Sequence, residues 1–230
     1  MKKIFLLFLA ISISFTLFSQ EKKDKLKFSD LPGAFVLDIG VTHYRFAPGS
    51  MELKMLGSRG INIYYTYDIK LIGEKFSFSP GFGFGTTNYT FKDPVTLGYS
   101  GDTLVVKNVS SNYKGLKKSK LAANYLDIPL ELRFRSGADV NSFKIALGVK
   151  AGILVSSLTK VKYKDDGWKK LKNKEDFELE KFRYGVYGRV GYGAFHLFAY
   201  YSLSDLFQKN NGPQGRSITP YMIGITLSAN

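Results

Sequence analysis

The sequence predicts an all-β fold, an eight-stranded antiparallel up-and-down transmembrane β-barrel. Three observations predict it. Eight segments alternate apolar and polar residues with a period of two, long and short connections alternate strictly between them, and one face of every segment carries almost no charge. Residues i and i+2 of a strand share a face, so such a segment shows an apolar row to one side and a polar row to the other.

The first segment sets Phe35, Leu37, Ile39 and Val41 against Asp38, Gly40, Thr42 and Tyr44. The second sets Ile61, Ile63, Tyr65, Tyr67 and Ile69 against Asn62, Tyr64, Thr66, Asp68 and Lys70. In the third, Phe76, Phe78, Pro80, Phe82 and Phe84 oppose Ser77, Ser79, Gly81, Gly83 and Gly85. The fourth is the most regular: Leu126, Ile128, Leu130, Leu132 and Phe134 against Asp127, Pro129, Glu131, Arg133 and Arg135. The fifth runs from Phe143 to Ile153, with Lys144, Ala146, Gly148, Lys150 and Gly152 on its polar side. The sixth places Tyr184, Val186, Val190 and Tyr192 opposite Arg183, Gly185, Tyr187, Arg189 and Gly191. In the seventh, Phe195, Leu197, Ala199, Tyr201 and Leu203 oppose His196, Phe198, Tyr200 and Ser202. The eighth sets Tyr221, Ile223, Ile225 and Leu227 against Met222, Gly224, Thr226 and Ser228. Each can supply the roughly 9–11 residues that a tilted strand needs to cross a bilayer.

Short links (71–75, 136–141, around Gly193) alternate with long ones (47–58, 87–119, 156–181, 205–215), as periplasmic turns alternate with extracellular loops. A soluble ligand-binding barrel would bury the apolar rows and show the polar ones to water. The polar rows argue against that. They are crowded with glycine, serine, tyrosine and charges of both signs, which suits a narrow interior, whereas the uncharged apolar rows suit lipid.

Residues 1–20 read as a cleaved export signal: Lys2 and Lys3, an apolar run to Phe18, then Ser19 and Gln20. Residues 21–33 follow as a periplasmic N-terminal segment, and 34–230 as the barrel. The formal charge is +14, and loss of Lys2 and Lys3 with the signal lowers it to +12. The lysines cluster outside the patterned segments, so lipid and lipopolysaccharide are the expected polyanionic partners, together with a candidate envelope protein, and nucleic acid is not. The chain has no cysteine, which excludes a disulfide scaffold, a thiolate metal site and a lipoprotein anchor. No cofactor and no metal is expected.

Inward-facing charges in so narrow a barrel must pair, because an isolated buried charge costs several kcal/mol. The expected lumen network is Asp38, Asp127, Glu131, Arg133, Lys150 and Arg189. Asp68, Lys70, Lys144 and Arg183 also face inward. His43 falls near the extracellular rim and His196 near the periplasmic end, too far apart for a shared catalytic site, and no local carboxylate orients either. Gly81 to Gly85 lacks the spacing of a phosphate loop. Between Ser156 and Lys181 lies the candidate extracellular binding loop, Lys162, Tyr163, Lys164, Trp168, Lys169 and Lys170, readable as a hairpin turning at Gly167.

The stretch Tyr125-Leu126-Asp127-Ile128-Pro129-Leu130-Glu131-Leu132 resembles the Y-L-x-I-P-L strand of Bacteroidetes outer-membrane β-barrel families that include the PorT-like proteins. Lys144 to Gly152, Tyr184 to Gly193 and Tyr200 to Phe207 are similar to the second half of that family. The short motif Asp102-Thr103-Leu104 resembles the acceptor of Bacteroidetes protein O-glycosylation. One departure is the end of the chain, Leu227-Ser228-Ala229-Asn230, where such barrels commonly close on an aromatic residue. The resemblance implies a non-enzymatic structural, binding or accessory component of the cell envelope with a closed or narrow lumen, and a link to secretion. A small-solute channel is the alternative, and a lipid A-modifying enzyme stands behind both.

Overall fold

The computed structural model describes residues 33–73, 75–111, 115–137 and 141–229; the expected signal peptide and the segment up to residue 32 lie outside the described residues. The strands are β1 (Ala34–Arg45), β2 (Arg59–Thr66), β3 (Ile69–Ile72), β4 (Phe76–Thr90), β5 (Val95–Ser100), β6 (Thr103–Asn108), β7 (Lys118–Arg135), β8 (Phe143–Lys164), β9 (Trp168–Asn173), β10 (Phe182–Tyr192), β11 (Phe195–Ser202) and β12 (Thr219–Ala229). Following the chain, β1, β2, β4, β7, β8, β10, β11 and β12 each pair antiparallel with the next, and β12 pairs back with β1. The result is a closed ring of eight strands. The second predicted segment is two strands, because Tyr67 and Asp68 leave the ladder before β3 rejoins β4.

The burial pattern assigns the two faces. Large apolar side chains, among them Ile63, Leu132, Leu147, Leu197 and Ile223, are exposed on the outside of the ring. Asp38, Asn62, Asp127, Glu131 and Arg189 are buried within it. So broad an apolar belt is foreign to a soluble surface and is what hydrocarbon requires.

Two long connections contain structure of their own; the β5–β6 hairpin is one that the period-two reading leaves as loop, and the hairpin turning at Gly167 is the one expected. The link from residue 87 to 119 carries the β5–β6 hairpin. The link from 156 to 181 carries the continuation of β8, which turns back as β9 with Lys164 opposite Trp168. Where β8 leaves the apolar belt it has one residue too many: Leu154 pairs with Tyr125 and Ser156 with Asn124, so Val155 has no opposite number on β7. This β-bulge inverts the faces above it. Below it the even residues Ala146 and Lys150 are buried inside; above it Ser157, Thr159 and Val161 are buried, and the even-numbered lysines turn outward.

The long connections fold together over the extracellular mouth. Met51, Phe91, Leu121, Phe177, Leu179, Phe207 and Ile218 belong to one buried apolar cluster there, to which β5 and β6 add Val95, Leu97 and Leu104. Isolated bridges join Leu53 to Phe91 and Leu179 to Phe207. The barrel thus has two interiors of opposite chemistry, a polar lumen and an apolar cap above it.

Candidate functional site

The lumen charges form two groups rather than one network. In the group nearer the periplasmic end, the Arg189 guanidinium reaches Asp38 Oδ2 at 2.9 Å and also pairs with Glu131. Arg133 pairs with Glu131 and reaches Asp68 Oδ1 at 2.6 Å, and Arg135 takes the other oxygen of Asp68. Thr226 donates to Asp38 Oδ1 at 2.7 Å and Ser79 donates to Asp68 at 2.5 Å.

The second group surrounds Asp127. Arg183 donates from Nε to Oδ1 at 3.1 Å and from Nη2 to Oδ2 at 2.6 Å, a two-pronged contact of matched planar groups. Tyr64 donates its hydroxyl to Oδ2 at 3.0 Å, and Lys150 stands 3.7 Å from the same oxygen. The Lys150 ammonium also donates to Tyr64 at 3.2 Å and lies 4.0 Å from the Tyr200 ring centroid. Asp127 and Arg183 are each register partners of Gly152, from opposite sides. A Cβ at Gly152 would come within 2.1 Å of Asp127 Oδ1, so the absent side chain is the space the ion pair occupies.

The structure therefore brings together Asp38, Glu131, Arg133 and Arg189, and separately Asp127 and Lys150. Arg183, Asp68 and Arg135 complete the pairing and are missing from the expected network. Arg183 and Asp68 were legible as inward-facing; their partners were not, because pairing across strands depends on register. Two cavities lined by lumen residues hold about 30 and 20 Å³. At roughly 10–15 Å³ per water, each has room for a water or two. His43 lies on β1 against Tyr221, and His196 is buried at the other end of the lumen, so the two histidines remain apart.

The candidate extracellular loop divides between two faces. Lys162, Lys164, Trp168 and Lys170 share the outward face of the β8–β9 hairpin, whereas Tyr163 and Lys169 stand on the opposite face, where Lys169 pairs with Asp165 at 2.6 Å. Four lysines that the sequence reading left out of the site complete the outward face. Lys118 opposes Lys162, which opposes Lys170; Lys120 opposes Lys160, which opposes Lys172. The Lys162 and Lys117 ammonium groups lie 4.6 and 4.8 Å from the Trp168 ring centroid. Partial burial, and then the ammonium groups of Lys118, Lys160 and Lys172, hold Lys120 below the ordinary lysine value of 10.5. Lys160 is lowered as well, by desolvation first and then by Lys170, Lys172, Lys118 and Lys162. Thr103 is exposed at the tip of the β5–β6 hairpin.

Residues 18–208 match the family described as outer membrane protein beta-barrel domain. No curated protein matches the chain in sequence. Among solved structures, the chain is similar to Ail, the attachment invasion locus protein of Yersinia pestis, crystallised in complex with the heparin analogue sucrose octasulfate. The identity is 15%, with 86% of this chain and 100% of that one covered at a TM-score of 0.37. A likeness at that level carries no argument about function.

Proposed function

Since this chain belongs to the outer membrane protein beta-barrel domain family, and is an outer-membrane β-barrel, we propose that it serves there as a sealed, non-enzymatic scaffold that presents a folded extracellular surface for binding. One observation carries the reading: Asp38, Asp68, Asp127 and Glu131, the carboxylates within the barrel wall's polar rows, are each held by arginines beneath an apolar cap. A pore needs a continuous water-filled path lined by groups free to meet the solute, and a hydrolase needs a nucleophile beside an oriented base. Here those carboxylates and the guanidinium groups of Arg133, Arg135, Arg183 and Arg189 engage one another.

The role is accessory or structural within the envelope, with outer-membrane lipid and lipopolysaccharide as its surroundings and a protein partner reached through the extracellular hairpins. The strand motif from Tyr125 to Leu132 supports placing it with the PorT-like barrels of Bacteroidetes, and hence near secretion. Export by a signal peptide cleaved near Gln20 belongs to the same reading.

Single-channel recording in planar bilayers tests it. A sealed scaffold gives no steady conductance, whereas reproducible openings would replace this reading with that of a small-solute channel. An altered lipid A mass profile after deletion of the gene would replace it with that of a lipid-modifying enzyme. A C-terminally tagged barrel extracted in mild detergent should carry a stoichiometric envelope partner.

A further inference from the structure

Above the membrane, β7, β8 and β9 set two rows of three lysines face to face, Lys118–Lys162–Lys170 and Lys120–Lys160–Lys172. Like charges directly opposed on neighbouring strands destabilise a sheet. One such pair is commonplace, but a lattice of six on a single face persists most readily where an external anion lies over it. The side chains of that face show what it meets. Because of the bulge at Val155, the lysines stand on the outward side, in line with the lipid-facing residues Ile153 and Val155 below them.

Their height narrows the ligand further. Val155 is the last exposed large apolar residue of β8, and Lys160 to Lys164 follow it. At about 3.3 Å per residue and a tilt of about 40°, these lysines stand roughly 13–23 Å above the apolar belt. Lipid headgroups occupy only about 5–7 Å on each side of the hydrocarbon. The lattice lies beyond them, sideways-facing, in the layer where the sugars of outer-leaflet glycolipids stand.

We propose that Lys118, Lys120, Lys160, Lys162, Lys170 and Lys172, with Lys164 and Trp168 beside them, form a docking lattice for the phosphorylated core sugars of neighbouring lipopolysaccharide. The inference rests on reading the barrel as a surface-binding protein, and it names the ligand of that surface. Phosphates on adjacent sugars bridge ammonium groups on adjacent strands, and the exposed Trp168 ring, with the Lys162 and Lys117 ammonium groups over it, stands at the edge of the anion they would hold. The glycolipid thereby ties the hairpin to the membrane surface on the side of the barrel where β8 runs.

Trp168 is the only tryptophan of the chain, so its emission reports on this face alone. The full barrel is placed in phosphatidylcholine nanodiscs. Three soluble probes are then titrated: phosphorylated core oligosaccharide freed from lipopolysaccharide, the same oligosaccharide dephosphorylated, and inorganic phosphate. The phosphorylated core should shift the emission at the lowest concentration. The triple variant K118Q/K160Q/K170Q, which leaves both ammonium groups over the Trp168 ring in place, should weaken that binding about tenfold, the equivalent of 1.4 kcal/mol. Lys107→Gln, on the β5–β6 hairpin, should leave it unchanged. Equal potency of the dephosphorylated core or of inorganic phosphate would overturn the proposal, as would an unresponsive Trp168 together with no retention of the core by the barrel. Nanodiscs carrying phosphatidylglycerol or core-free lipid A form a fourth arm, in which an equal shift would assign the lattice to headgroup phosphates and so refute the sugar-layer assignment. Conductance reads the sealed-scaffold proposal independently: an open pore with intact core binding sinks that reading alone, and a closed barrel with no core binding sinks the lattice alone.

Discussion

Arg183 reaches across Gly152 to hold both oxygens of Asp127, at 3.1 and 2.6 Å. Removing one partner of such a buried pair leaves a charge without compensation, at a cost of about 3–5 kcal/mol. Arg183→Met should therefore lower the urea midpoint of the reconstituted barrel substantially. Asp127→Asn should do at least as much, since Arg183 and Lys150 would then face each other unneutralised. The double variant should recover part of the loss. A single R183M with wild-type stability would mean that the pair does not hold the lumen together.

The glycine that makes room for this pair admits a sharper test. A Cβ at position 152 would sit 2.1 Å from Asp127 Oδ1, whereas one at Gly188, on the lipid side, would meet Leu147 Cδ2 at 3.3 Å. Gly152→Ala should abolish the heat-resistant folded band on cold gels, and Gly188→Ala should preserve it. Equal behaviour of the two would contradict the packing described.

The cap is expected to open without the barrel. Leu179 is fully buried in the apolar cluster, and Leu→Ala at such a site costs about 2–5 kcal/mol. Because the eight-strand ring does not depend on it, L179A should expose residues 174–181 to protease while the transmembrane strands stay protected. Mass mapping of the fragments distinguishes this from general unfolding.

The lysine lattice has a pH signature. Lys120 and Lys160 are held below the ordinary value of 10.5 by partial burial and neighbouring ammonium groups. With the folded value depressed, the repulsion is fully present at neutral pH. It is relieved as pH rises through the depressed values toward 10.5. In the absence of polyanion, the β8–β9 hairpin should become more protease-resistant on raising pH from 7 toward 10, and added salt at pH 7 should act in the same direction. A hairpin that loosens over that range would deny the coupling.

Deletion of a residue from a strand ordinarily throws every later side chain to the other face. Val155 is the exception, because it has no opposite number on β7 and its loss leaves a regular ladder with Ser156 next to Leu154. A barrel lacking Val155 should fold, and Lys160 and Lys162 should still react with a membrane-impermeant amine reagent. Loss of that labelling would show that the bulge itself is required.

The transmembrane strands were legible because lipid on one side and a packed polar lumen on the other impose strict alternation, as between Leu126 and Asp127. The inward direction of Asp38, Glu131 and Arg189 followed from the same rule. Their partners did not, since Arg183 meets Asp127 only through a register spanning three strands. The outward turn of Lys160 and Lys162 was hidden by one unpaired residue, Val155. Nor did the cap announce itself: Met51, Phe177, Leu179 and Phe207 are isolated apolar residues in polar loops, and no period links them.

Those cap residues come from connections far apart along the chain, the one after β1 holding Met51 and the one after β11 holding Phe207. Contacts of such long sequence separation carry a large loop-closure cost, so they are expected to form late, once closure of the ring has brought their connections together. The cap is therefore a record of completed assembly. A barrel stalled with β12 unpaired from β1 would show its loops loose at the cell surface, where quality-control proteases and antibodies could tell it from a finished one.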